Sequence, residues 1–183
     1  MTIYAPDALS EFGNALTAEL PPNDAAPGTA NDATAKAPLG TLFRYKGNIF
    51  RYVKFDSGTD VVASAKYGVA HWLLAGLDPT NGLFTVTSDY SSGLAGINSV
   101  AGIFGAVLTT GNYTWIQVGG VATVTSNVST AIGDSMIGSS VDLTLGRIAA
   151  DSSVTAVAFG VALTAYAAGT ASVLLSAHRL VTL

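Results

Sequence analysis

The chain has 183 residues, of which 49% are hydrophobic and only 11% charged, and it contains no cysteine. One domain of this length can bury roughly 70% of its unfolded surface, and without cysteine it has neither disulfides nor thiolate metal ligands. The net charge of −4 lies in residues 1–40, because residues 41–183 hold seven acids and seven bases. Since no Lys/Arg cluster of the kind that binds nucleic acid is present, we expect no nucleic-acid partner.

The first twenty residues carry the apolar pattern of a short helix. Their large apolar side chains recur at spacings of three and four, at Leu9, Phe12, Leu16 and Leu20. This spacing predicts a helix from about Asp7 to Glu19. Residues 23–38 are rich in Ala, Asp, Asn, Thr and Pro and offer no large apolar side chain to a core. We interpret residues 1–40 as an N-terminal arm, either a disordered leader or a segment that becomes extended or helical only on a partner.

The body domain is predicted to span residues 41–183, to fold without residues 1–38 and to open with a hairpin. Phe43-Arg44-Tyr45 is echoed by Phe50-Arg51-Tyr52 across Lys46-Gly47-Asn48, which predicts a hairpin with a tight Gly-Asn turn. Alternation along a strand sets the aromatic side chains on one face and most of the basic ones on others. Arg44 and Arg51 are therefore candidates for contacts with another subunit.

The next stretch mixes apolar runs with clear turn signals. Residues 61–76 are a second candidate for a short helix and contain His71 beside Trp72. We interpret His71 as a packed or interface histidine and not as a catalytic base. A turn is predicted at Asp78-Pro-Thr-Asn-Gly82, followed by strands at residues 83–88 and 100–109.

Residues 112–126 are predicted to form a central hairpin. Two β-rich segments, Tyr113–Val118 and Val121–Thr125, flank Gly119-Gly120, and two glycines suit a type I′ turn. No charged residue occurs from Tyr90 to Gly133. We therefore expect this hairpin to lie in the middle of the core, with Trp115 buried.

The C-terminal part lacks charge from Ser152 to Ala177. Gly160, Gly169 and frequent Ser, Thr and Val favour paired strands over a membrane span, which needs about 20 predominantly apolar residues. We expect no membrane partner. Short strands at about ten-residue spacing predict an all-β body, an antiparallel β-sandwich or barrel preceded by the short helix and extended arm.

Catalytic patterns are missing from the sequence. It has two histidines, and no H-x-x-x-H, G-x-S-x-G, G-x-G-x-x-G or P-loop pattern occurs. The sequence alone does not show whether the fold brings two carboxylates together, as glycoside hydrolysis requires. We expect no enzymatic activity, no cofactor and no metal.

Four short motifs resemble those of a known class of viral proteins. They are G-x-x-F-R-Y at 40–45, G-x-Y-x-W-I-Q-V-x-G at 111–120, A-x-G-D at 131–134 and G-V-A-L at 160–163. Together they are similar to the small β-rich head proteins of tailed bacteriophages, which include the capsid decoration, or cement, proteins. The resemblance covers about residues 40–180 and has no counterpart in the arm.

The resemblance implies a non-enzymatic structural protein on the outer capsid surface of a virion. It also implies a homotrimer that bridges and stabilises subunits of the major capsid protein. We expect the candidate contacts to lie at Phe12, Leu16, Leu20, Arg44 and Arg51. The alternative is a tail-fibre or carbohydrate-binding β module that stacks sugars on Trp72, Tyr90 or Trp115.

Overall fold

The computed structural model describes residues 28–73, 84–91, 100–148, 156–167 and 169–181. These ranges contain ten β-strands and no helix, which confirms the predicted all-β body. The predicted helix from Asp7 to Glu19 lies outside the described residues. The strands are β1 (Leu42–Tyr45), β2 (Asn48–Asp56), β3 (Val69–Trp72), β4 (Thr85–Thr87), β5 (Val100–Ile103), β6 (Tyr113–Ser126), β7 (Ser135–Gly138), β8 (Leu145–Ile148), β9 (Ala156–Ala162) and β10 (Gly169–Val181).

Five strands close into a barrel, which we call the first barrel. Around the ring β2 pairs with β4, β4 with β3, β3 with β5, β5 with β6, and β6 with β2 again. The expectation of a purely antiparallel sheet is wrong here, because β2 and β4 run parallel. Residues 57–68 carry the chain past one strand position, so that β4 fits between β2 and β3. The interior is filled by one apolar cluster that includes Val53, Phe55, Val86 and Ile116.

The long strand β6 belongs to two barrels. Residues 113–119 pair with β2 and β5, whereas residues 120–126 pair with β10. The predicted hairpin at Gly119-Gly120 is therefore wrong. A type I′ turn needs a positive φ at both central residues, but only Gly120 has one, at +85°, and Gly119 instead pairs with Ile49.

A second barrel is formed by β6, β10, β9, β7 and β8, and it closes through the single parallel pair Ser126–Leu145. Its core holds Val124, Met136, Phe159 and Val173, joined by Val69, Val100 and Ile103 from the first barrel. The predicted pairing of strands in the uncharged C-terminal run is confirmed by β9 and β10. In the part of the chain that the structure describes, no helix is long and apolar enough to cross a membrane.

The short helix predicted for residues 61–76 is also wrong over its described part, residues 61–73. These residues form turns and β3. Val69 packs into the core of the second barrel and Ala70 into that of the first. A strand buried on both faces appears in the sequence as an apolar run, and periodicity alone does not separate such a run from a helix.

Candidate interaction surfaces

Residues 28–41 cross the outside of the first barrel, and we call this segment the strap. The backbone of Asp32 exchanges two hydrogen bonds with that of Tyr113 in β6, at 3.0 and 2.8 Å. The Lys36 amide donates to the Tyr52 hydroxyl at 2.9 Å. Ala30 is only 3% exposed, because it packs in a cluster with Trp115. The strap therefore fixes the place where the preceding part of the arm joins the body.

Asn31 anchors the strap to the loop between β5 and β6. Its Oδ1 accepts hydrogen bonds from the Thr109 amide at 3.1 Å and from Asn112 Nδ2 at 2.9 Å. Close by, a Cβ on Gly105 would lie 2.2 Å from the Gly28 carbonyl oxygen. Side-chain and backbone contacts thus hold the strap at the position from which residues 1–27 depart.

An aromatic cluster lies beneath the strap. The ring of Trp115 is 4.9 Å from that of Tyr52 and 5.7 Å from that of Phe43, measured between centroids. Trp115 is only 5% exposed. Its predicted burial is confirmed, and a role in stacking a sugar is excluded for the folded chain.

The two candidate arginines occupy different environments. Arg44 is exposed on β1, at the edge of the sheet. Arg51 faces away from Phe50 and Tyr52, as alternation predicts, but its guanidinium lies 5.6 Å from the ring centroid of Trp72. A second ring, that of Phe84, is 5.7 Å from it. Burial lowers the pKa of Arg51, and such cation–π contacts stabilise a partly desolvated guanidinium. Contact of either arginine with a partner stays a prediction.

Phe12, Leu16 and Leu20, the other candidate contacts, lie outside the described residues. Their proposed role therefore remains a prediction from the sequence.

A buried polar cluster surrounds His71 and Asp89. Asp89 accepts hydrogen bonds from the Ser91 amide at 2.8 Å, the Ser91 hydroxyl at 2.6 Å and the Asp60 amide at 3.1 Å. The His71 ring is fully buried and packs edge-on against Tyr90, with 5.7 Å between centroids. Burial lowers the pKa of His71 to about 4, although Asp142 and Asp89 act in the opposite direction. The interpretation of His71 as a packed histidine is confirmed.

This cluster also links the two barrels. The Tyr90 amide donates to Asp142 Oδ1 at 2.7 Å, and Asp142 belongs to the loop between β7 and β8. Within the described residues, no three His, Asp or Glu side chains are grouped so that they could hold a metal ion.

The outer surface of β6, β10 and β9 carries a row of aliphatic side chains. Val121 pairs with Leu174 across β6 and β10, and Leu174 pairs with Val161 across β10 and β9. Val121 is 51% and Leu174 44% exposed. Flanking positions add hydroxyl groups and a further leucine. We call this surface the neutral face, and it consists of Val121, Thr123, Val161, Leu163, Ser172 and Leu174.

Comparisons with known proteins give one structural similarity. No family model matches the sequence, and no curated protein matches it. Among solved structures, the chain is similar to the N base of head fiber gp8.5 in bacteriophage phi29. The two have 14% sequence identity and a TM-score of 0.48, and the match covers 73% of this chain and 98% of that chain.

Sequence reasoning missed the strap and the neutral face. The strap holds no large apolar side chain before Leu39, because its anchors are backbone pairs, Asn31 and a small buried alanine. The neutral face has a signal in the sequence, namely the two long runs without charged residues at 90–133 and 152–177. We interpreted the first run as a buried hairpin and the second as paired strands. Neither interpretation showed that alternation sets Val173 in the core and Leu174 on the surface.

Proposed function

We propose that this chain is a structural protein of a bacteriophage head. In this proposal it attaches to the outer capsid surface through its N-terminal arm and bridges subunits of the major capsid protein. The observation that supports the proposal best is the strap, which fixes the base of the arm on a closed β body. The four sequence motifs supply the assignment to phage heads.

The arm combines the two properties that attachment requires. Residues 1–27 contain Asp7, Glu11, Glu19 and Asp24 and no base, so they carry the whole net charge of −4. Their apolar side chains Phe12, Leu16 and Leu20 would each contribute roughly 1.5–3 kcal/mol on burial, before the entropy of ordering is subtracted. The carboxylates would pair with basic sites on the capsid, which makes attachment weaker at high salt.

The test compares two matched triple variants on heads that lack this protein. One variant carries Phe12→Ser, Leu16→Ser and Leu20→Ser in the arm. The control carries Val61→Ser, Val107→Ser and Ile132→Ser, which replace body side chains that are 73%, 63% and 70% exposed. Bound copies are counted after co-sedimentation. We expect the control to bind like the parent chain and the arm variant to bind at least about 100-fold more weakly.

Two outcomes oppose the proposal. If both triple variants bind heads like the parent chain, attachment through the arm is wrong. If the parent chain itself leaves the heads bare, the role in the head is wrong.

The proposed role is non-enzymatic and needs no cofactor, and it includes self-association, for which the resemblance implies a trimer. The alternative, a tail-fibre or carbohydrate-binding module, depends on Trp72, since Trp115 is buried and Tyr90 packs against His71. The Trp72 ring already contacts Arg51 and packs edge-on against Phe84. Binding of the parent chain on a glycan array, lost in Trp72→Ala, would favour the alternative.

A further inference from the structure

The aliphatic row of the neutral face has the same order of residue types in both directions. It runs Val121, Leu174, Val161 across three neighbouring strands, with the leucine in the middle. Because adjacent strands lie about 4.8 Å apart, the row is roughly 10 Å long. Leu163, 40% exposed, extends the apolar surface at one end.

We propose that the neutral face binds the neutral face of a second copy of this chain. A two-fold axis through the middle of the row would set Leu174 against the same leucine of the second copy and Val121 against the second copy's Val161. Each aliphatic side chain would then meet another aliphatic side chain, as an isologous contact requires. This contact joins two copies and is distinct from the trimer that the resemblance implies, so the inference goes beyond the proposed function and is independent of how the chain attaches to a head.

Charge favours a second copy over a charged partner. No Asp, Glu, Lys or Arg occurs in β6 or in residues 152–177. The face therefore offers nothing to attract an oppositely charged surface, and it buries no unpaired charge when two copies meet. Interface cores are depleted in charged residues and surrounded by polar ones. The Thr123 and Ser172 side chains, which pair across β6 and β10, supply such a polar border.

The size of the face sets the expected strength of association. Stable complexes bury about 800 Å² on each partner, so the contact must extend beyond the aliphatic row to the surrounding hydroxyls. We expect a dissociation constant in about the micromolar range. Copies held side by side on a common surface would associate more completely, because their effective concentration is higher.

The test introduces opposite charges at the centre of the row. In the full-length chain, Leu174→Glu or Leu174→Lys would place two like charges against each other across the two-fold axis. Such juxtaposition is strongly unfavourable, so we expect self-association at least about 100-fold weaker in either variant. Mixing the two variants should restore it, because the introduced carboxylate of one copy would then face the introduced ammonium group of the other.

Sedimentation velocity over a range of concentrations measures the association against the mass of one chain, 18.5 kDa. The control is Val61→Lys in the first barrel, where the native valine is 73% exposed, and it should associate like the parent chain. A parent chain that stays monomeric, variants that associate normally, or a mixture that stays monomeric would each overturn the inference.

The other possible occupant of the face is the arm of the same chain. Gly28 and Thr123 line one small cavity, so the strap begins beside the neutral face. The triple arm variant should still self-associate if a second copy is the occupant, and monomers in that variant would overturn the inference. A parent chain that self-associates but leaves the heads bare would count against the proposed function alone.

Discussion

At Gly120 the strand β6 passes from one barrel to the other. A Cβ at this position would lie 2.2 Å from Asn48 Oδ1 and 2.9 Å from the Gly47 carbonyl oxygen. The second contact is with backbone, which cannot rotate away. Gln117 supports the same bend, since its Nε2 donates to the carbonyl oxygens of Gly119 and Val121 at 3.2 and 3.0 Å. One backbone position thus allows one strand to serve two cores.

Gly120→Ala should lower the free energy of unfolding by roughly 2–4 kcal/mol, from the left-handed conformation together with the steric overlap. Gly111→Ala is the matched control, because its φ is +89° and a Cβ there would meet nothing within 4 Å. Gly111→Ala should lower the free energy of unfolding by only about 1–2 kcal/mol. Urea unfolding of both variants measures the difference, and equal losses would show that the close approach at Gly120 is unimportant.

His71 should make stability depend on pH. Its pKa is lowered from 6.5 to about 4 in the folded chain, so the unfolded chain binds a proton first as the pH falls. Stability is therefore full above pH 6.5 and declines towards pH 4, by about 2 kcal/mol between pH 7 and pH 5. Urea unfolding at both pH values should show this decline, and His71→Gln should reduce it. If the loss of stability between pH 7 and pH 5 is unchanged in the variant, titration of other groups causes it.

Trp115→Ala should cost on the order of 3–5 kcal/mol, because it opens a large cavity among Phe43, Tyr52 and the strap. Trp72→Ala is the natural comparison, since Trp72 is only half-buried, and its loss should be smaller. Thermal or urea unfolding gives both values. A loss below about 1 kcal/mol for Trp115→Ala would contradict the packing described for the aromatic cluster.

The contacts of the strap change our expectation that the body folds equally well without residues 1–38. We expected the body to fold without residues 1–38, since residues 21–38 hold no large apolar side chain. The structure packs Ala30, Ala37 and Leu39 against the aromatic cluster. Backbone hydrogen bonds from the strap to β6 add to this contact.

Two truncations separate the strap from the rest of the arm. Removing residues 1–27 should change the melting temperature by only a few degrees. Removing residues 1–40 should lower it by about 5–15 °C, because Trp115 and Tyr52 become exposed and the hydrogen bonds to β6 are lost. Calorimetry of the two truncated proteins measures both melting temperatures. Equal melting temperatures would mean that the strap adds nothing to the stability of the body.

Local signals predicted some elements well. The β1–β2 hairpin follows from alternation, and its existence was predicted correctly. Its turn is one residue earlier than the predicted Gly-Asn pair, since Lys46 and Gly47 have positive φ and Asn48 already belongs to β2. The strand expected at residues 83–88 appears as β4, and the one expected at residues 100–109 appears as β5 but ends at Ile103. Pairing between distant segments could not be predicted in the same way. The parallel β2–β4 pair and the change of partners along β6 depend on contacts far apart in sequence.

At the scale of the whole molecule, charge and apolar surface are separated. Residues 28–183 are neutral overall, and the arm holds the net charge. The sequence showed the uncharged runs but could not show which of their residues face solvent, because that depends on the register of β6, β10 and β9. The candidate contacts Arg44 and Arg51 looked equivalent in the repeated Phe-Arg-Tyr pattern. They differ in the fold, because Arg51 lies on β2, which belongs to the first barrel, whereas Arg44 lies on β1 at the edge of the sheet.

The proposed function requires this chain to bind the outside of a phage head. Cryo-electron microscopy tests this binding on heads that lack the protein, imaged before and after addition of the full-length chain. We predict new density outside the capsid lattice, at repeated positions and large enough for two joined five-stranded barrels. Unchanged heads after incubation with excess folded protein would contradict the claim.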